Sequence, residues 1–162
     1  MSKFDIKNDK HQEGLLKTLF TVGLINLFIG AIALTLDIVF EIPPLPIDKN
    51  LSFIIFLILT LFYAFILIWS ALILASAKRE NKLAKRGPYK ICRHPMYVGI
   101  VLLINPALAI LFCSWSLLEA SIILYFIWKR FALKEEKELL KIFGEEYKEY
   151  IKKTGCLFPK IC

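Results

Sequence analysis

What most limits the fold of this chain is a set of long apolar blocks kept free of charge, with the charged residues gathered between and after them. From Leu51 to Ala77 there is no Asp, Glu, Lys or Arg. In hydrocarbon every backbone N–H and C=O needs a partner inside the protein, so only helices and closed barrels span it. Barrel strands alternate apolar and polar residues, and these blocks do not. The expectation is an all-α integral membrane protein with about four transmembrane helices, followed by a C-terminal cytoplasmic amphipathic helix.

A hydrocarbon core of about 30 Å takes about 20 helical residues to cross. The first span runs from about Leu15 to Leu36, with Asn26 near its middle, and the second from about Leu51 to Ala77. The connector between them, Glu41 to Asp48, holds Pro43, Pro44 and Pro46 and cannot be helical throughout. The third span starts at Pro95 and reaches about Phe112. Asn105-Pro106 interrupts it and should kink it, because proline lacks the N–H donor and clashes with the preceding turn. After a minimal turn at Cys113-Ser114, the fourth span runs from about Trp115 to Leu133, with Lys129 and Arg130 snorkelling to the inner surface. A charged helix follows, about Lys134 to Lys153. In it Leu139, Leu140, Phe143, Tyr147, Tyr150 and Ile151 recur at three-to-four spacing as one apolar stripe. Gly144 interrupts the stripe and invites a bend or a close approach, and Pro159 ends the ordered chain.

With 162 residues the chain has room for one domain, 1–162, made of an N-terminal helical hairpin (1–77) and a second half (78–162). Its net charge of +7 comes from 21 basic and 14 acidic residues. In a membrane chain such an excess marks cytoplasmic loops, so no nucleic-acid partner is implied. Lys78, Arg79, Lys82, Lys85, Arg86, Lys90 and Arg93 fall between spans two and three, and a second basic group follows span four. The opposite loops hold only Lys49 as a base. Both termini are therefore expected on the cytoplasmic side. The polar start (Lys3, Asp5, Lys7, Asp9, Lys10, Glu13) and the lack of a cleavage-like site after the first block mark that block as a retained span. Cys92, Cys113, Cys156 and Cys162 form no C-x-x-C pair, so no metal site is expected, and Cys162 is too close to the end for a prenylation signal.

Polar residues within the spans have plain structural explanations. Asn26 and Asn105 suit interhelical hydrogen bonds, and Glu119, a turn from the outer interface, suits snorkelling. Tyr63 and Trp69 in the second span suit neighbouring helices or lipid. The Glu/Lys pattern late in the chain, such as Glu149 with Lys153, reads as a solvated face.

The stretch that carries chemistry is Arg86 to Gly99, RGPYKICRHPMYVG, where a basic loop enters a membrane helix. Pro95 is a natural first helical residue, which makes His94 the N-cap. Exposed backbone donors there favour an anionic group such as a carboxylate, with Arg93 and His94 beside it. Tyr89 and Tyr97 can flank a cationic or aromatic ligand. Gly99, one turn in, permits tight packing.

Gly87-Pro88-Tyr89, then Arg93-His94-Pro95-x-Tyr97-x-Gly99, then Glu135-Glu136 and Phe143-Gly144-Glu145-Glu146-Tyr147-x-x-Tyr150, resemble the signature of the isoprenylcysteine carboxyl methyltransferase family, which is related to membrane phospholipid N-methyltransferases. The likeness covers Arg86 to Pro159; the first half matches only as generic spans. It implies an S-adenosylmethionine-dependent methyltransferase acting on a lipophilic acceptor in the bilayer, its active site cytoplasmic and residues 78–162 its cofactor-binding half. Tyr89, Arg93, His94, Pro95, Met96 and Tyr97 would contact the cofactor, Glu135 would hold it from the other wall, and Arg130 and Glu136 are the candidate catalytic residues. A positively charged sulfonium suits a carboxylate and aromatic faces, and the transfer itself needs orientation and dryness. The acceptor would enter laterally, into a pocket between spans three and four.

In one position the chain departs from that pattern. Members that methylate prenylcysteine carboxylates resemble one another in an arginine four residues before the first glutamate of the pair, where this chain has Phe131. Arg130 is adjacent, but neighbouring helical positions point about 100° apart. The acceptor class stays open among a carboxylate, a lipid amine and a small hydrophobic thiol. Two other readings compete. Membrane sterol reductases, which use NADPH, have a similar Arg-His-Pro-x-Tyr run, with Asn where this chain has Met96. A non-catalytic membrane scaffold would also tolerate Phe131.

Overall fold

The structure, a computed structural model, describes residues 3–160, with side chains from Lys17 onward except Leu19. Expectations for Cys162 and for the side chains of the polar start lie outside the described residues. Among the described residues the chain is all-helical: α1 (Lys3–Val39), α2 (Lys49–Arg79), α3 (Pro95–Leu111), α4 (Trp115–Phe143) and α5 (Glu145–Lys153), with a 3₁₀ turn at Gly87–Lys90 before α3.

Two helical stretches, Phe20–Val39 and Lys49–Arg79, are long and apolar enough to cross a membrane. They turn Phe20, Leu24, Leu27 and Phe28, and Phe53, Leu57, Leu61 and Phe65, outward rather than into the protein. Water does not tolerate contiguous apolar surface on that scale. Lipid does, and both helices suit a bilayer. Pro95–Leu111 is apolar but shorter, and only the first part of α4 is apolar.

Local chemistry starts and stops these helices. Asp48 Oδ1 accepts from the backbone N–H groups of Asn50 and Leu51 at the start of α2. The Ser114 hydroxyl accepts from Leu117 N–H, 3.0 Å, at the start of α4 and also bonds Asp37 of α1, which accepts from Ser116 as well. Pro106 does not simply bend α3. The preceding residues Ile100–Ile104 form a π-helical turn, with Asn105 N–H bonded to the Ile100 carbonyl. The wider turn is an accommodation to the proline ring, which an α-helical ladder would press against the carbonyl four residues back.

The charged C-terminal helix expected from Lys134 to Lys153 is not one element. α4 continues without a break through the membrane-like stretch into Phe143, and Gly144, at φ +53°, ends it. A Cβ there would meet nothing within 4 Å, so the glycine serves backbone conformation rather than close packing. Close packing is instead the role of Gly99, where a Cβ would lie 2.5 Å from the Tyr63 ring of α2.

α1 packs along α4, α4 along α3 and α3 along α2, so the two N-terminal helices pack mainly on other partners rather than on each other. The core joins Val22, Tyr97, Val101, Leu124, Trp128 and Ala132 across α1, α3 and α4. Within it Asn26 and Asn105 exchange amide hydrogen bonds of 3.0 and 3.2 Å, and Trp128 Nε1 donates to Asn26 Oδ1 at 3.3 Å. This meets the expectation that both asparagines serve interhelical bonding.

Candidate active site

The site begins with a turn that proline dictates. Pro88 and Tyr89 are buried in the 3₁₀ turn, whose hydrogen bonds bring the chain round to His94. His94 is the N-cap of α3 and Pro95 its first residue, as the spacing predicts. Tyr97 then points from α3 toward α4, where its hydroxyl donates to Glu135 Oε2 at 2.8 Å. The His94 ring stacks on Tyr97, with centroids 5.2 Å apart and planes 10° from parallel, and Tyr97 in turn packs against Trp128 at 4.9 Å. His94 Nδ1 lies 3.5 Å from Glu135 Oε2.

A cavity of about 380 Å³ opens between the C-terminal halves of α2 and α4. Arg93 to Tyr97 form one wall, and Ala71, Leu74, Ala75, Lys78 and Lys82 form another. Glu135, Leu139 and Phe143 of α4 face them, and Tyr147 and Tyr150 of α5 complete the enclosure with Tyr89. The Tyr150 hydroxyl donates to the Tyr89 carbonyl, tying α5 to the 3₁₀ turn.

All seven residues expected at the cofactor, Tyr89, Arg93, His94, Pro95, Met96, Tyr97 and Glu135, line this one cavity. The two expected to be catalytic do not. Arg130 is exposed, outside the lining, and the adjacent Phe131 packs against the core. Glu136 is buried on the far side of the Arg93–His94 wall, outside the lining. Sequence reasoning missed α2 as a wall, since nothing in a uniform apolar block distinguishes Ala71, Leu74 and Ala75. The stripe Leu139, Phe143, Tyr147 and Tyr150 was visible, but its destination was not.

Glu136 is the electrostatic anchor. Its Oε1 accepts from Arg93 Nε at 2.7 Å and lies 3.3 Å from His94 Nε2, close but not aligned for a hydrogen bond. Burial pushes its carboxyl up, and His94 and Arg93 more than offset that, holding it at about 2. Burial likewise pulls the Arg93 guanidinium down, and Glu136 outweighs it, so its affinity for the proton rises. Burial and the Glu136 charge push the Cys156 thiol up to about 12. His94, Glu136 and Cys156 bring ligand-type atoms within 4.8 Å of one another. Arg93, however, already supplies the counter-charge, and a protonated thiol is a poor metal ligand.

The donor set fits a sulfonium nucleoside. Glu135 with Tyr97 and Tyr89 suits a positive centre, Leu74, Leu139 and Phe143 suit a flat base, and Lys78 and Lys82 suit a carboxylate. The Tyr147 hydroxyl is buried with no hydrogen-bond partner among the described residues, a polar atom left for a ligand.

The family model for phospholipid methyltransferase matches residues 51–146. Over 75 residues the chain is 37% identical to the methanethiol S-methyltransferase of Pseudomonas deceptionensis, covering 45% of this chain and 27% of that protein. It is 30% identical over 104 residues to the protein-S-isoprenylcysteine O-methyltransferase of Saccharomyces cerevisiae, covering 57% and 39%. A cobalt-zinc-cadmium resistance protein of Cupriavidus metallidurans is 29% identical over 94 residues, covering 58% and 43%. The chain thus matches less than half the length of each of these relatives.

Proposed function

The chain belongs to the phospholipid methyltransferase family, and from that premise we propose that it is a membrane-embedded S-adenosylmethionine-dependent methyltransferase acting on a lipophilic acceptor. The observation that carries this reading is the 2.8 Å bond from Tyr97 to Glu135. It joins two motifs far apart in sequence at the edge of one cavity whose donors suit the cofactor. The relatives named for S- and O-methyl transfer support the reaction class.

When bound, S-adenosylmethionine supplies an electrophilic methyl on a positively charged sulfur. Glu135, held by Tyr97, would present the opposing carboxylate, and the Tyr89 ring at the cavity would add to it. Lys78 and Lys82, which line the cavity, would hold the amino-acid end. Leu74, Leu139 and Phe143 exclude water, which strengthens every charge interaction inside and leaves positioning as the protein's main contribution. Arg93 and Glu136 neutralise each other and hold the wall rather than meet substrate. Arg130, exposed on α4 and outside the cavity lining, would meet an acidic headgroup rather than stand in for the arginine that Phe131 replaces.

α3 and the first part of α4, to about Leu133, cross the bilayer with α1 and α2, making four spans in one domain of residues 1–162. The basic loop and the basic residues late in the chain favour a cytoplasmic side for both termini and the cavity. A lipophilic acceptor enters laterally, and the α2 wall of Ala71, Leu74 and Ala75 offers it an apolar approach.

The test is thermal unfolding of the detergent-purified chain with S-adenosylhomocysteine or with NADPH. A raised midpoint with the first alone supports methyl transfer. A rise with NADPH alone favours a reductase, and no rise with either favours a scaffold. Radiolabelled methyl incorporation into lipid extracts and prenylcysteine analogues then identifies the acceptor.

A further inference from the structure

We propose that Thr154–Phe158, which follows α5 and lies beyond the family-matched residues 51–146, is a strap that positions the cofactor-facing turn at Arg93 and His94, with Gly155 as its positioning residue. The proposal rests on the methyltransferase reading of that cavity.

The turn cannot hold itself. Pro95 has no N–H, and the His94 side chain makes no capping bond. The strap supplies what is missing. Arg93 N–H donates to the Gly155 carbonyl at 2.9 Å, and His94 N–H donates to the Cys156 carbonyl at 3.2 Å. Cys92 and Gly155 pair as an isolated parallel bridge, the one strand-like contact among the described residues. Arg93 Nη1 donates to the Thr154 carbonyl as well. Backbone and guanidinium of one residue are thus held by the same short segment.

The strap is anchored at its other end. Leu157 is buried in the core that also holds Tyr97 and Trp128, and Phe158 packs against Tyr125 of α4 at 5.8 Å. Lys160 Nζ donates to the Lys152 carbonyl at 2.9 Å. The segment doubles back so tightly that a Cβ on Gly155 would run into the Phe158 carbonyl oxygen. A side chain there displaces the carbonyl that Arg93 uses. A shift of the His94 backbone moves its ring off Tyr97 and its Nδ1 away from Glu135, the carboxylate that faces the cavity. Supporting bonds of this kind hold a site to the tolerance that binding needs.

The experiment compares wild type, Gly155→Ala and Leu124→Ala as full chains in detergent, reading S-adenosylhomocysteine affinity by calorimetry and the unfolding midpoint separately. Gly155→Ala is expected to weaken affinity about tenfold, the usual scale for loss of an outer supporting contact. Leu124 is buried in the core of α4, outside both the strap and the cavity lining, so Leu124→Ala is expected to lower the midpoint while leaving affinity near wild type. Equal affinity in Gly155→Ala and wild type overturns the proposal. So does a loss in Leu124→Ala as large as in Gly155→Ala, which would mean that the strap acts only through global stability. Should Gly155→Ala fail to fold, Phe158→Ala carries the test, since its half-exposed ring anchors the strap without filling the core. Weaker binding in that variant supports the strap, and unchanged binding overturns it. A wild type that binds no S-adenosylhomocysteine overturns the methyltransferase reading and the strap's role with it, a result distinct from a wild type that binds and variants that bind equally well.

Discussion

Arg93 Nε and Glu136 Oε1 stand 2.7 Å apart, with the two side chains only 8% and 10% exposed. The pair joins the turn before α3 to the C-terminal part of α4, directly behind the cavity wall. Two charges taken out of water need each other, and the pair's value lies less in net stability than in what happens when it is broken.

Removing one partner is therefore costly. Arg93→Met leaves the Glu136 carboxylate buried without its cation and should destabilise the protein by about 3–5 kcal/mol. The double variant Arg93→Met/Glu136→Leu should recover a large part of that loss. Denaturant unfolding in detergent, followed by tryptophan fluorescence, measures both. A double variant as unstable as the single one would contradict the pairing.

Acid should reveal the same pair. The Glu136 carboxyl is held at about 2 in the folded protein, against an ordinary value of 4.5. Its folded value lies below its unfolded one, so the stability it contributes is present above pH 4.5 and is lost as pH falls toward 2. The contribution is on the order of 3 kcal/mol. The unfolding midpoint, followed downward in pH, should drop more steeply in wild type than in Glu136→Gln over that window.

Tyr97→Phe isolates the hydroxyl. The ring's stacking on His94 and its packing on Trp128 survive, while the bond to Glu135 is lost. S-adenosylhomocysteine affinity should fall about tenfold, the scale of a hydrogen bond to a charged group, with little change in the midpoint. Calorimetry beside thermal unfolding separates the two effects.

The reciprocal amides of Asn26 and Asn105 tie α1 to α3. Each alanine substitution should cost about 0.6–1.7 kcal/mol, the range for hydrogen bonds between membrane helices. Asn26→Ala should cost more, because Trp128 also donates to that residue. The double variant should cost less than the sum, since both remove one shared interaction. Strict additivity would mean that the amides do not bond each other.

Much of the helix plan was legible in order along the chain, because hydropathy, proline and capping residues act locally. The uncharged run from Leu51 to Ala77 lies within α2, and the proline-rich connector after α1 is non-helical as expected. Pro95 opens α3 with His94 as its cap. Gly99 packs against a neighbour as its place suggested, and the asparagines bond across helices. The residues expected around the cofactor also converge, since they came in two motifs whose chemistry is complementary.

What the one-dimensional pattern determined was therefore where helices begin and which residue types belong to a site. Tertiary structure decided their orientation. Glu135 and Glu136 are adjacent and alike in sequence, yet about 100° of helical rotation sends one into the cavity and the other to Arg93. The return of Gly155 to Arg93 depends on contacts between segments some sixty positions apart in the chain. Such contacts have no local signature, because they are stabilised only after the core has brought α3 and α4 together.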